Sequence, residues 1–225
     1  MYLRGFDSGR ELLKWIAILT MTVDHVGAFL FPELEFLRLI GRVAFPLFAY
    51  LLILGMESTR NIQHYFLRLF LFALLSQVPF FLAADHGPFE SLNIFFTLSF
   101  GLLFVYFFKK GSLIAFVPVI LSFVLPFDYS IYGITLIGCM YILTKNTKFG
   151  AVLLVLLNSL FLIYWNTQFL SLFALPLILL YNNGYLNTKI TFSEDFTIPA
   201  WRKYFFYVYY PLHLTVIYLI KLYFF

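Results

Sequence analysis

Charge is scarce in this sequence. Asp, Glu, Lys and Arg make up 12% of its 225 residues, about half the share in an ordinary soluble domain, and so few cannot cover a water-facing surface. Cysteine is nearly missing too. The single Cys139 lies in an apolar run, so no intrachain disulfide can form and the redox compartment is not written in the chain. There is no glycine-rich phosphate loop and no Gly-x-Ser-x-Gly elbow. His64 and His86 have no companions at metal-ligand spacing, so no metal site is expected. No aromatic-plus-basic surface points to nucleic acid. Linkers, internal repeats and low-complexity tracts are absent. The first apolar run is too long for a secretory signal and no small-residue cleavage site follows it, so it is expected to stay as an anchor.

What the chain does have is apolar bulk: 62% hydrophobic and 22% aromatic residues, with a mean hydropathy of +0.90. Nearly every window of about 19 residues reads as a candidate span. The expected fold is all-α, a polytopic transmembrane helical bundle forming a single integral-membrane domain over residues 1–225, multi-pass in the cell membrane. Charge, Pro, Gly and Asn clusters cut it into about nine runs. These cover Glu11 to Phe31, Leu34 to Met56 with a kink at Pro46, Thr59 to about Ala84, and Leu92 to Lys109. A short fifth run, Leu113 to Leu125, is followed by Tyr129 to Leu143, Phe149 to Tyr164, Phe169 to Tyr181 and, after a polar loop over 182–199, Lys203 to Tyr223. With the N-terminus inside, the inner side collects Arg4, Arg10, Lys14, Arg60, Arg68, Lys109, Lys110, Lys145, Lys148, Lys189, Arg202 and Lys203. The outer loops then hold only acids: Glu33, Glu35, Asp85, Glu90 and Asp128. That alternation obeys the positive-inside rule and places the C-terminus outside.

The informative residues are the polar ones left inside the apolar runs. Asp24 and His25 lie deep in the first run, and Arg38 and Arg42 share one face of the second at i,i+4. At about 1.5 Å per residue, His25 is about 20 Å from the inner end of its helix, Arg42 about 12 Å from the outer end of its own, and His213 about 15 Å from the inner end of the last. The groups therefore share one slab. Asp24 and His25 leave the helix about 100° apart and do not face each other. The economical arrangement pairs Asp24 with Arg42 or Arg38 and sends His25 elsewhere. A purely structural ion pair is the plainer reading of Asp24, but ionisable residues inside a membrane are functional by default. A neutral imidazole suits general-base work on an amine or hydroxyl; the alternative for His25 is a core histidine with its hydrogen bonds met. Pro211 is expected to bend the last helix and free carbonyls near His213. Gln77 and Asn93 fit either a substrate contact or a helix-to-helix bond and a cap. Glu57 with Arg60 reads as a solvated pair.

Several stretches resemble the TraX family: Leu13 to Ala17 running into Thr22-Val23-Asp24-His25-Val26-Gly27, Leu37 to Phe48, Arg68 to Pro79, Leu92 to Leu98, and Tyr210-Pro211-Leu212-His213-Leu214. Between Gly111 and Asn187 no motif matches. The resemblance implies a compact relative of the polytopic acyltransferases, moving an acetyl group from cytosolic acetyl-CoA to a peptide N-terminus or glycan in or beyond the membrane. It places the essential early-helix histidine at His25; in the enzyme reading His25 is the catalytic base and Asp24 is catalytic with it by tuning the local field through Arg42, with no metal. Arg38, Arg42 and His213 would hold the thioester or its oxyanion, with Gln77, Asn93 and Tyr210 completing the substrate side, and inner-face Lys and Arg could engage the CoA phosphates or equally serve topology. The competing expectation is a non-catalytic membrane protein, a transporter or a scaffold for assembling a surface structure. Against transport, no paired Gly/Pro-broken segments occupy corresponding halves.

Overall fold

The Asp7 carboxylate accepts the backbone N–H of Arg10 at 2.8 Å. That cap starts α1 (Ser8–Phe29) nearly a turn before the hydrophobic run begins. The structure is a computed structural model and describes residues 7–162, 166–186 and 200–224. The single helix expected over Leu34 to Met56 is two, α2 (Glu35–Gly41) and α3 (Ala44–Ser58), parted at Arg42 and Val43. Pro46 accounts for the position of the break. It has no N–H for the carbonyl of Arg42, and its ring crowds that carbonyl, so the helix yields one turn before the proline.

α4 (Ile62–Ala84) carries Pro79 within it, and α5 (Ile94–Lys109) follows the Asn93 cap. A 3-10 turn over Leu113–Ala115 leads into α6 (Phe116–Val124), then α7 (Ser130–Lys145) and α8 (Thr147–Phe161). A second 3-10 stretch (Asn166–Phe173) joins α9 (Ala174–Asn182), and α10 (Ala200–Phe224) closes the chain. The run expected from Phe169 to Tyr181 is thus half 3-10. Among the described residues no strand forms, only an isolated bridge between Leu92 and Phe127. Among the described residues four stretches are long and apolar enough to cross a membrane: Ser8–Phe29, Glu35–Ser58, Ile62–Ala84 and Tyr204–Phe224. The other apolar helices are shorter.

Contacts at the helix ends give the bundle two poles. Arg10 donates to Ser58 Oγ at 3.5 Å, and Lys109 and Lys145 pair with Glu57 at 3.2 and 3.3 Å. The start of α1 and the ends of α3, α5 and α7 therefore gather at one basic end. Glu57 does not pair with Arg60 as expected, because the chain turns extended at Thr59 (ψ 142°) and carries Arg60 away. At the other end Lys221 of α10 pairs with Asp85, so a cation does stand among the acids there. α3, α5 and α7 finish at the basic end, and α4, α6 and α8 set out from it. Residues 187–199 of the polar loop, with Lys189, and Arg4 lie outside the described residues.

α1, α4 and α10 run side by side in the same direction. Trp15 meets Phe205 at 5.5 Å and Phe72 meets Tyr207 at 5.3 Å, while Lys221 meets Asp85 further along. Tyr50, Tyr132, Leu47, Ile53 and Ile137 are fully buried, whereas Leu19, Leu75, Val78, Phe123 and Leu160 stand exposed on the outside. An apolar exterior wrapped around buried polar groups is what a bundle immersed in lipid requires. The chain is a membrane protein.

Candidate functional site

Because Asp24 and His25 point to different sides of α1, each builds its own half of the site. Asp24, 8% exposed, is gripped by both arginines. Arg38 Nη1 lies 2.5 Å from Oδ2 and Arg42 Nη2 lies 2.8 Å from Oδ1. The helices come close enough for this because two glycines face across the seam. A Cβ at Gly41 would overlap the Asp24 carboxylate, and one at Gly27 would lie 2.6 Å from Leu37 Cβ.

Arg42 is further tied down, donating from Nε to the Arg38 carbonyl at 3.2 Å and from Nη1 to Gln168 Oε1 at 3.2 Å. Gln168 passes the chain on, donating to the Tyr132 hydroxyl at 3.1 Å, which donates to Asn158 Oδ1 at 3.1 Å. Ser171 reaches the same Asn158 oxygen at 2.8 Å. A buried polar line thus runs from α1 through the α2–α3 break into α7, α8 and the second 3-10 stretch. Arg38 is freer: its side chain is 37% exposed, and only Nη1 has described partners, on Asp24.

His25 turns to α10. Its Nδ1 lies 2.7 Å from His213 Nε2, and His213 Nδ1 lies 3.0 Å from the carbonyl of Tyr209. A carbonyl only accepts, so Nδ1 of His213 carries a proton and its Nε2, in the neutral ring, is an acceptor. His25 must then donate from Nδ1, which leaves the Nε2 lone pair of a neutral His25 unprotonated. The chain of hydrogen bonds assigns both tautomers. The carbonyl involved is the one a turn before His213, not the Tyr207 carbonyl that Pro211 frees, and α10 continues through Pro211 as helix. Tyr209 is fixed in turn by its hydroxyl on Thr22 Oγ1, 2.8 Å away. Phe29 stacks on His25 at 5.5 Å, and the buried Tyr210 sets its ring edge-on to both imidazoles, at 5.9 and 5.4 Å.

Below this pair lies a cavity of about 730 Å³ that reaches the basic end, lined by Arg10, Arg60, Arg68, Phe95 and Tyr210 among others. Gln77 and Asn93 are committed elsewhere. Gln77 Oε1 accepts from Asn93 N and Nδ2 at 3.1 and 2.8 Å, and its amide donates to the Ser91 carbonyl at 2.7 Å. Asn93 caps α5 through Phe95 N at 3.1 Å. Together they lock α4 to α5 and set Ile94 and Phe95 in the cavity wall. In the loop before α7, burial pushes the Asp128 carboxyl up to about 6, against the opposing pull of Arg42.

Sequence reasoning passed over Gln168 and Tyr132, met Gly41 only as part of a motif, and weighed the cavity arginines only among the inner-face cations as a group. Gly41 carried a signal, a small residue beside Arg42 at a helix seam. Gln168 carried none, since its meaning depends on a 3-10 fold.

Fold and site together define a class: an all-α membrane protein with a histidine pair and a doubly paired aspartate held inside the bundle. The chain belongs to the TraX family, described as TraX protein, which matches residues 9–221. The match includes the middle of the chain, where no motif was legible. The chain is also similar to the probable fimbrial assembly protein FimC, serogroup H1, of Dichelobacter nodosus, 27% identical over 238 residues that cover 95% of this chain and 96% of that one. An uncharacterized protein of Rickettsia prowazekii (strain Madrid E), RP591, is 28% identical over 102 residues, 45% of this chain and 38% of that protein's length. No solved structure matches.

Proposed function

We propose that the protein is a multi-pass acetyltransferase of the cell membrane, N-terminus in the cytosol and nine crossings, moving an acetyl group from acetyl-CoA to an amine or hydroxyl acceptor. The observation that carries the reading is the hydrogen-bond chain from the Tyr209 carbonyl through His213 to His25. It leaves an unprotonated imidazole nitrogen on a ring held between Phe29, Tyr210 and His213, as a general base requires. His25 Nε2 takes the acceptor's proton while the acceptor's nitrogen or oxygen attacks the thioester carbonyl. The developing imidazolium is shared with His213 through the 2.7 Å bond. The uncommitted N–H groups of Arg38 are the donors nearest in kind to an oxyanion hole. When the C–S bond breaks, the proton on His25 passes to the thiolate. Asp24 and Arg42 act by positioning, since each is already satisfied by the other.

Purified protein given labelled acetyl-CoA and its own cells' membrane and surface-fibre fractions tests this. Wild type is expected to label an acceptor, and His25→Gln to lose at least about 100-fold, the usual minimum for a general base. Near-normal transfer by His25→Gln refutes the base assignment.

A second reading takes its support from the name of the Dichelobacter relative, a probable fimbrial assembly protein: a scaffold for a surface fibre with no chemistry of its own. Wild type that transfers no label to any fraction, with fibres lost on deletion, favours the scaffold. The two readings merge if the labelled acceptor is a fibre subunit.

A further inference from the structure

The cavity at the basic end is not described by the histidine pair alone. Four cations, Arg10, Lys14, Arg60 and Arg68, line it against one carboxylate, Glu11, which is itself paired with Lys14 at 2.6 Å. Arg68 is set into the wall between two tyrosine rings, its guanidinium 5.2 Å from the centroids of both Tyr65 and Tyr207. The Nε atoms of Arg68 and Arg10 are buried and have no hydrogen-bond partner. Buried donors without acceptors are uncommon, because each loses its hydration with no return. Both arginines line the cavity, and a lining of four cations against one carboxylate that is already paired favours a ligand that carries negative charge. The first turn of α4, capped by Asn61, also opens here, adding its backbone dipole with the positive end toward the cavity.

We propose that Arg68 and Arg10 bind the diphosphate of a nucleotide thioester whose acyl end lies at Tyr210, beside His25. Arginine suits the task, with a rigid fork of donors matched to phosphate oxygens. The spacing agrees: Tyr207, against Arg68, and His213 are six residues apart on α10, a rise of about 9 Å, within the reach of a pantetheine arm. This placement rests on the acyl-donor reading above and goes beyond it in naming the phosphate ligands. Arg60, in the loop before α4, and Lys14, already paired with Glu11, would serve attraction more than grip.

Full-length protein in phosphatidylcholine nanodiscs, titrated with CoA and separately with pantetheine, tests the placement. Loss of one charged hydrogen-bond donor is expected to weaken CoA binding at least about tenfold in Arg68→Gln and in Arg10→Gln. Arg68→Lys should fall between, and pantetheine, which has no phosphate, should bind all of them as it binds wild type. Lys148→Gln, a basic-end residue outside the cavity, should bind CoA normally. The buried Cys139 reports whether each variant remains folded. Normal CoA binding by a folded Arg68→Gln and a folded Arg10→Gln overturns the placement and leaves the donor reading standing. Wild type that neither binds CoA nor transfers acetyl overturns both. Wild type that holds phosphatidic acid through Arg68 and ignores CoA makes the cavity a lipid site, which also overturns the proposal.

Discussion

Asp24→Asn keeps the volume of the side chain and removes the charge that two arginines share. The two are not equally exposed to the loss. Arg38, with 37% of its side chain exposed, recovers hydration, and the pair it leaves is worth about 0–1 kcal/mol. Arg42, 11% exposed, has no such recourse, and removing the partner of a buried ion costs about 3–5 kcal/mol. Part of that is offset by the bonds Arg42 retains to Gln168 and to the Arg38 carbonyl. A net destabilisation of about 3 kcal/mol follows, or about 6–12 °C in Tm for a chain of this length. The assay is thermal unfolding in detergent at neutral pH, read by a thiol-reactive dye at the single, buried Cys139. Asp24→Asn/Arg42→Gln should regain most of the loss, since no uncompensated buried cation is left. A single variant within about 1 kcal/mol of wild type, or a double variant as unstable as the sum of the two singles, would refute the charge argument.

Gly41→Ala should disturb the same pair by a different route. The added methyl group overlaps the Asp24 carboxylate, so Tm and transfer should both fall, and Gly41→Ala combined with Asp24→Asn should cost less than the two added; strict additivity would show the contact to be irrelevant. Asp128 predicts a pH effect. Its folded carboxyl titrates near 6 and an unfolded one near 4. The folded form therefore keeps a proton that the unfolded form has lost, and this group's contribution to stability declines as pH rises from about 4 to 6. Asp128→Asn has no such decline, so its Tm relative to wild type should climb across that window and level off above it. A difference that is flat with pH would contradict the assignment.

How much of this was open to sequence reasoning varies by element. Depth along a helix follows from residue count, which is why the sequence alone places His25 and His213, 188 positions apart, in one slab. The 100° step between neighbours likewise sent Asp24 and His25 to different partners. The break before α3 followed a rule the sequence states, but a proline acts on the carbonyl a turn before it, so the kink appeared at Arg42 and not at Pro46. Local rules fail where a contact joins distant elements. Glu57 has a cation three residues on, and only the positions of α5 and α7 show that Lys109 and Lys145 reach it. Arg10 and Arg68 read only as two of many inner-face cations, fit for topology or for phosphate, until the cavity singles them out. Gln77 and Asn93 carry every mark of a polar site and turn out to be satisfied by each other and by backbone.

One feature of the histidine pair bears on biosynthesis. His25 leaves the ribosome 188 residues ahead of His213, so the nascent chain carries an imidazole with no Nδ1 partner while α2 to α9 are inserted. Until α10 arrives, the tautomer of His25 is unassigned and the cavity has no wall at Tyr207 and Tyr210. On the proposed acetyltransferase reading, a chain released before α10 is expected to be silent instead of weakly active. Supplying residues 200–225 as a separate polypeptide alongside such a chain should switch activity on in a single step.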